Sequence, residues 1–401
     1  MQFDFTSIIE RVGKDAMAAD AVGKHIWGIE PAPPKDGFDF IPMWVADMNF
    51  ATCPSVTDAL KKRIDHPLFG YFLPDEDYYE RIINWHKSSF FADDLQRKYI
   101  GTENGVHGFI MSCINVFTKP GDKILLHRPY YVGFMNDIKG TGREAVFSDL
   151  ILDDSGLYRM DYDDMERKLS ENNIRLVIFC SPHNPTGRVW KKAELKRVFG
   201  IFKRHDCIVI SDEIWADIIL RDNSHIPAYT VSPWAKENTL CAYAISKTFN
   251  LAGLNAAYHV IYNKNLRKKI CSYSDLTMYN SPNVLNVHAL KGAYTDTGAE
   301  WVRELNEVLY ENTQYICDFL NAVGGISAPL PQGTYMIYAD MRDYCKNNGR
   351  SIEDILHAGW DVGVGWQDGR AFGGEFAIRI NVALPLSRIK EACRRLKEYV
   401  F

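Results

Sequence analysis

Between residues 108 and 262, short apolar runs alternate with amphipathic stretches, and this alternation limits the possible folds more than any other feature of the chain. The apolar runs Lys123–Leu126, Arg175–Cys180, Cys207–Ser211, Leu240–Ile245 and Tyr258–Tyr262 have the length of strands. Gly108–Phe117, Met160–Ser170 and Lys191–Lys203 carry apolar residues at helical spacing. A strand that is apolar on both faces needs cover on both faces. The repetition therefore predicts an α/β fold, a mostly parallel sheet with helices on both sides. Ligands of such sheets lie outside the carboxyl ends of the strands, and here polar clusters follow several of the apolar runs.

The 401 residues exceed what one small core needs and suit two domains. The first ~45 residues are less periodic, and Pro31-Ala32-Pro33-Pro34 marks an extended loop. Beyond Pro282, helical patterns run over Val284–Ala293 and Trp301–Val323. A glycine turn, the apolar run Thr334–Ala339 and a last helix over Leu386–Tyr399 follow. The predicted division is a large domain over residues 49–285 and a smaller α+β domain built from 1–48 and 286–401.

A net charge of −5 gives no reason to expect a nucleic-acid or anionic-membrane partner. No apolar run is long enough to span a bilayer, and Met1-Gln2-Phe3-Asp4-Phe5 lacks the basic and apolar regions of a signal peptide, so a cytoplasmic location is expected. The nine cysteines are scattered without a Cys-x-x-Cys pair and read as reduced, mostly buried thiols. No His-Glu-x-x-His spacing, P-loop or Gly-x-Gly-x-x-Gly fingerprint occurs. No metal site is therefore expected, and a P-loop ATPase and a dinucleotide dehydrogenase both lack their main signals.

The run Ala244-Ile245-Ser246-Lys247-Thr248-Phe249-Asn250-Leu251-Ala252-Gly253 joins an apolar strand to a glycine turn. A lysine at a strand end can be held desolvated in a cleft, lose its proton and attack a carbonyl to form a Schiff base. The aldehyde cofactor that suits Lys247 is pyridoxal phosphate (PLP), whose ring and phosphate need partners. Asn184 sits in the rigid loop Ser181-Pro182-His183-Asn184-Pro185-Thr186-Gly187. Its amide can meet the phenolic oxygen; the alternative is a helix-initiating turn. Asp212, in Ser211-Asp212-Glu213-Ile214-Trp215, can pair with the ring nitrogen. The alternative, a solvated acidic pair capping a helix or a supporting role, is kept for Glu213.

Gly105-Val106-His107-Gly108 opens a helix whose free backbone N–H groups suit a phosphate; the alternative is only a turn. The Ser246 hydroxyl can add to the same phosphate. Arg128-Pro129-Tyr130-Tyr131 offers an aromatic to stack on the ring, or simply a packed cluster. Arg379 lies in the alternating strand Phe376–Asn381 and needs an anionic partner, either an amino-acid carboxylate or an internal salt bridge.

Asn184-Pro185-Thr186-Gly187, Asp212, Ser246-Lys247 and Arg379 stand in the order and spacing of the fold-type-I PLP enzymes, the aspartate-aminotransferase-like superfamily, which the chain resembles over nearly its whole length. Within it, Pro42-Met43-Trp44-Val45-Ala46-Asp47-Met48, Phe69-Gly70-Tyr71, Ser246-Lys247-Thr248-Phe249-Asn250 and Gly333-Thr334-Tyr335 look most like the cystathionine β-lyase/cystalysin type of C–S lyase. The resemblance implies that Lys247 carries the cofactor, Asp212 binds its ring nitrogen, Asn184 its phenolic oxygen and Tyr131 its ring face. It further implies that Gly105, Val106, His107 and Ser246 hold the phosphate and that Arg379 takes the substrate carboxylate. Tyr71 would reach the neighbouring subunit's site, acting there on the phosphate and the leaving group, which implies a homodimer. Asn255 stands where many transaminases carry a phosphate-binding arginine, as is similar in the lyases. Trp215 replaces a usual tyrosine or histidine beside the cofactor, and its indole can donate but not accept a hydrogen bond. The loop Gly363–Arg370 also departs from the family pattern, so Trp215 and Arg370 bear on the choice of substrate.

The leading expectation is β-elimination from a sulfur-bearing L-amino acid such as cystathionine or cystine, giving a thiol, pyruvate and ammonia. Lys247 acts as the Cα base. Transamination shares the early steps and is the second reading. A PLP-binding scaffold for a regulatory partner is the third, and the retained Lys247, Asp212 and Arg379 argue against it.

Overall fold

The central apolar runs assemble into one sheet of eight strands. The computed structural model describes residues 1–24, 29–154 and 156–401. Its strands, in chain order, are β1 (Ile41–Pro42), β2 (Ile100–Glu103), β3 (Lys123–Arg128), β4 (Glu144–Leu152), β5 (Tyr158–Met160), β6 (Leu176–Cys180) and β7 (Ile208–Asp212). They continue with β8 (Thr239–Tyr243), β9 (Ala257–Val260), β10 (Met336–Asp340), β11 (Val364–Gly365), β12 (Gln367–Asp368) and β13 (Ala377–Asn381). The large sheet runs β2-β9-β8-β7-β6-β3-β4-β5. Its central members β4, β3, β6, β7 and β8 are mutually parallel. β9 is antiparallel to both its neighbours, and β5 is antiparallel to β4.

Burial on both faces explains the composition of the central strands. All five residues of β6, Leu-Val-Ile-Phe-Cys, are buried. Phe179 packs edge-on against Phe199 and Phe202 of the amphipathic helix Lys192–Arg204, with centroids 5.8 and 6.2 Å apart. Leu176 and Ile178 face the other way, into the cluster that holds Phe109, Ile110 and Ile114 of the helix Val106–Phe117. Each such burial contributes roughly 1.5–3 kcal/mol. Cys180 pairs in register with Asp212, and Asp212 with Ala242. The carboxyl ends of β6, β7 and β8 therefore lie level, and the residues just beyond them share one layer.

The carboxyl-terminal third adds the 27-residue helix Asp296–Ala322 and a small antiparallel sheet in the order β10-β13-β12. Arg379 of β13 stands between Tyr338 of β10 and Gln367 of β12. The helices Val284–Ala293 and Leu386–Tyr399 fall where the sequence puts them.

Several expectations need correction. Tyr258–Tyr262 is shorter, Ala257–Val260, and runs antiparallel. Met160 closes a strand, and its helix begins at Tyr162, capped by the Asp161 side chain. The long helix starts at Asp296 rather than Trp301; its first turn, Asp296-Thr297-Gly298-Ala299, carries no large apolar side chain and so shows no apolar period. Its signal is instead the Thr295 hydroxyl, which accepts from Gly298 N–H at 3.0 Å. β4 carries no strand signal in the sequence, since its mixed burial gives neither clean alternation nor a continuous apolar run. Leu240–Ile245 ends at Tyr243, and Lys247 lies on a helical turn, Ile245–Thr248, not at a strand end. No helix among the described residues is long and apolar enough to cross a membrane.

Candidate active site

The carboxyl ends of β2, β3, β6, β7 and β8 face a cavity of about 240 Å³. Gly105, Val106, His107, Tyr131, Asn184, Asp212, Trp215, Ser246 and Lys247 all line it. These are nine of the eleven site residues expected from sequence. Arg379 adjoins them through Asn184, and Tyr71 is fully exposed outside the cavity.

Lys247 reaches the cavity because Ala244 keeps an extended backbone and the chain then coils, closing the turn with Phe249 N–H on Ile245 O at 3.0 Å. Its Nζ donates to Ala46 O at 2.9 Å and forms no salt bridge among the described residues. Burial, reinforced by the charge of Arg379, lowers its pKa to about 8. A neutral amine is therefore accessible near physiological pH. The Trp215 ring lies 5.8 Å from Nζ and meets Tyr335 edge-on at 4.6 Å. The Tyr335 hydroxyl donates to the same Ala46 carbonyl, at 3.1 Å.

Asp212 ends β7 with one carboxylate oxygen accepting from Ile214 N–H at 3.1 Å. Burial pushes its pKa up to about 6. A buried carboxylate in this condition is stabilised by any cation brought into the cavity. Its neighbour Glu213 is not the solvated cap that the sequence allowed. It is 1% exposed and accepts from Ser211 Oγ (2.8 Å), Ala228 N–H (2.9 Å) and Tyr243 OH (2.6 Å), with His225 Nε2 at 2.6 Å. It braces the end of β7 from behind; only the three-dimensional packing could reveal those partners.

At the start of the helix Val106–Phe117, Gly105 has φ 151°, a conformation that side chains disfavour. A Cβ there would stand 2.6 Å from Asn255 Oδ1. The first turn closes with Phe109 N–H on Gly105 O, so the N–H groups of Val106 and His107 stay at the open end beside Ser246. That is the geometry of an anion cradle.

Arg379 is 4% exposed. Its Nη1 donates to Asn184 Oδ1 at 3.3 Å, and its Nη2 to Trp44 O at 2.9 Å and to Gln367 Oε1. Its Nε has no hydrogen-bond partner among the described residues, and its guanidinium lies 4.3 Å from the centre of the Phe372 ring. All its contacts are neutral, so the internal salt bridge considered from sequence is absent among the described residues. Burial lowers its pKa to about 10. A buried guanidinium without an acid calls for an anion from outside the chain. Because Asn184 spends its carbonyl on Arg379, its amide N–H groups stay available to the cavity. Gln367 and the Trp44 carbonyl were not foreseen. They lie far apart in sequence, and strand pairing brings Gln367 opposite Arg379. Arg370 points elsewhere, into a salt-bridge cluster with Asp368 and Glu353.

An amine, a carboxylate, an anion cradle and an unpaired guanidinium around one cavity fit PLP and an amino-acid substrate. Comparison with known proteins agrees. Residues 39–396 match the family described as aminotransferase class I and II. The chain is 30% identical to cystathionine beta-lyase PatB of Bacillus subtilis over 391 residues, 97% of each protein. It is similar to cystalysin from Treponema denticola, a structure that contains a pyridoxal 5'-phosphate cofactor. There the TM-score is 0.90, identity is 30%, and 99% of this chain and 98% of the other are covered. A PLP-bound putative aminotransferase from Clostridium difficile 630 gives a TM-score of 0.90 at 32% identity, with 99% of both chains covered. The resemblance drawn from the sequence motifs and the likeness in three dimensions point to the same place: this chain belongs to the aminotransferase class I and II family.

Proposed function

We propose that the protein is a PLP-dependent C–S β-lyase that, with one water, converts a sulfur-bearing L-amino acid such as cystathionine or cystine to pyruvate, ammonia and the sulfur fragment, a thiol from cystathionine and a persulfide from cystine. The observation that carries this reading is the convergence of Lys247 and Asp212 on one cavity beside the acid-free guanidinium of Arg379. The likeness to a cystathionine beta-lyase and to cystalysin supports the reaction type.

Lys247 is the amine that would hold the cofactor's aldehyde carbon. The Val106 and His107 N–H groups, freed by Gly105, and the Ser246 hydroxyl would hold the phosphate, Asp212 the ring nitrogen, the Asn184 amide the phenolic oxygen and Tyr131 the ring face. When bound, the cofactor withdraws electrons from the substrate Cα and acidifies its proton. Arg379 binds the substrate carboxylate in a fork–fork pair and fixes which Cα bond faces Lys247. Lys247, released as a neutral amine, removes the Cα proton. Asp212 keeps a proton on the ring nitrogen, for which its buried carboxylate is the counter-charge. Trp215 closes the cavity wall beside Lys247.

We further propose a homodimer in which Tyr71, exposed on this chain, enters the partner's site and protonates or positions the leaving sulfur. The two-part division at residues 48/49 and 285/286 belongs to the same reading. A cytoplasmic location accords with nine unpaired cysteines.

The test is the purified protein with PLP and cystathionine, cystine or simple amino acids, with and without a keto acid. Pyruvate without a keto acid is expected, with a thiol from cystathionine and a persulfide from cystine. Amino transfer that requires a keto acid and yields no pyruvate would replace this reading with the second one, aminotransfer, which the likeness to a putative aminotransferase favours.

A further inference from the structure

The backbone of His107 belongs to the anion cradle, but its imidazole makes contacts of its own. His107 Nδ1 lies 3.0 Å from Asp137 Oδ2, and Nε2 lies 3.3 Å from the Tyr131 hydroxyl. Both partners come from one element: Tyr131 caps the helix Val132–Gly140, and Asp137 lies on it. The ring rests on the first turn of that helix, over Gly133, where a Cβ would stand 2.0 Å from His107 Cε1. The imidazole thus bridges the starts of two helices that flank the cavity. His107 is about half exposed, whereas the Asp137 side chain is only 12% exposed. The carboxylate is the anchor and the imidazole the arm.

We propose that Asp137–His107–Tyr131 is a positioning chain that sets the tilt of the Tyr131 ring over the cavity, and so how firmly a flat cofactor ring is held beneath it. It rests on the PLP reading above. Tyr131 touches Phe134 edge-on at 5.4 Å, a contact that leaves its hydroxyl end to be fixed by something else. His107 supplies that fixation. Burial works against a charged imidazole here, yet the bond to Asp137 and its charge outweigh burial and hold the His107 pKa above its ordinary value. Asp212 favours the same charge across the cavity and Lys247 opposes it. The carboxylate of Asp137 accepts from Nδ1–H, and Nε2 then bonds the Tyr131 hydroxyl, as donor when the ring is charged and as acceptor when it is neutral. Asp137 therefore acts on the stacking ring through His107, without touching the cofactor.

A double-mutant cycle on the intact chain tests this. Asp137→Asn, Tyr131→Phe and the double variant are titrated with PLP as apoproteins, following absorbance for affinity and circular dichroism of the bound-cofactor band for ring geometry. Tyr131→Phe keeps the ring and removes only the hydroxyl. Each single change should weaken retention about 3- to 10-fold, the range of one hydrogen bond, and lower the dichroic amplitude. The double variant should be no more than about twofold weaker than the worse single variant, because both break one chain. Factors that multiply, or single variants that change neither affinity nor dichroism, overturn the proposal. If Asp137→Asn does not fold, His107→Phe with Tyr131→Phe gives the same cycle from the middle of the chain. A wild-type protein that takes up no PLP overturns the functional reading itself, whereas normal uptake with multiplying factors overturns only the positioning chain.

Discussion

Replacing Arg379 with methionine separates a ligand-binding arginine from a structural one. The guanidinium is buried among neutral partners, and its pKa of about 10 corresponds to roughly 3 kcal/mol against the charged form. It returns three hydrogen bonds, to Asn184, Gln367 and the Trp44 carbonyl, worth about 1 kcal/mol each. These contributions nearly cancel. Methionine keeps much of the packing against Phe372, and the Trp44 carbonyl left without its donor costs about 1–3 kcal/mol. The expected loss of apoprotein stability is therefore about 1–3 kcal/mol, read from urea denaturation. The substrate carboxylate, in contrast, loses a charge-assisted pair of about 1.5–3 kcal/mol, a roughly 10- to 150-fold rise in KM. An amine of the same shape without a carboxylate should bind both proteins equally. A variant destabilised by more than 5 kcal/mol with an unchanged KM would refute the reasoning, because the arginine would then be holding the fold rather than a ligand.

The depressed pKa of Lys247 predicts that capture of PLP by the apoprotein accelerates as pH rises and levels off above about 8, measured by stopped-flow absorbance; an inflection near the ordinary lysine value would contradict it. Lys247→Ala should lose the cofactor's visible band and at least ~10²–10⁴-fold in turnover. For Asp212 the sign runs the other way from a salt-bridged acid. Its folded pKa is raised to about 6, so the folded state binds the proton more tightly, and apoprotein stability falls as pH rises from about 4 to about 6. At pH 7 that loss amounts to about 3 kcal/mol, so Asp212→Asn should raise the apoprotein's melting temperature while abolishing turnover; a variant that melts lower at pH 7 would count against this. Gly105→Ala forces a side chain into a φ it disfavours and against Asn255, and should weaken PLP binding in spectral titration more than it weakens the fold in thermal melting.

The central strands and the helices Val284–Ala293 and Leu386–Tyr399 were legible because burial imposes a period that composition records. β6 is apolar throughout since both its faces are covered, and Leu386–Tyr399 repeats its buried residues at Ile389, Ala392, Cys393 and Leu396. Where burial is partial, as along β4, or where a polar cap rather than an apolar residue starts the helix, as at Thr295, the period vanishes and the element was missed or shifted. The short motifs around Asn184, Asp212 and Lys247 carried the chemistry because such groups need fixed neighbours in the chain: prolines, a strand end, a tight turn.

Sequence alone determined the type of fold, the amine and the carboxylate that face the cavity, and the family. It could not determine that Glu213 is buried rather than solvated, that Arg379 is held by Gln367 and the Trp44 carbonyl with no acid paired to it among the described residues, or that His107 turns its side chain toward Asp137 and Tyr131. Local preference is set by residues a few positions apart and is written in order along the chain. Desolvation and the pairing of charges are set by whatever the fold brings close, and Arg379 meets its partners across 335, 195 and 12 residues of sequence.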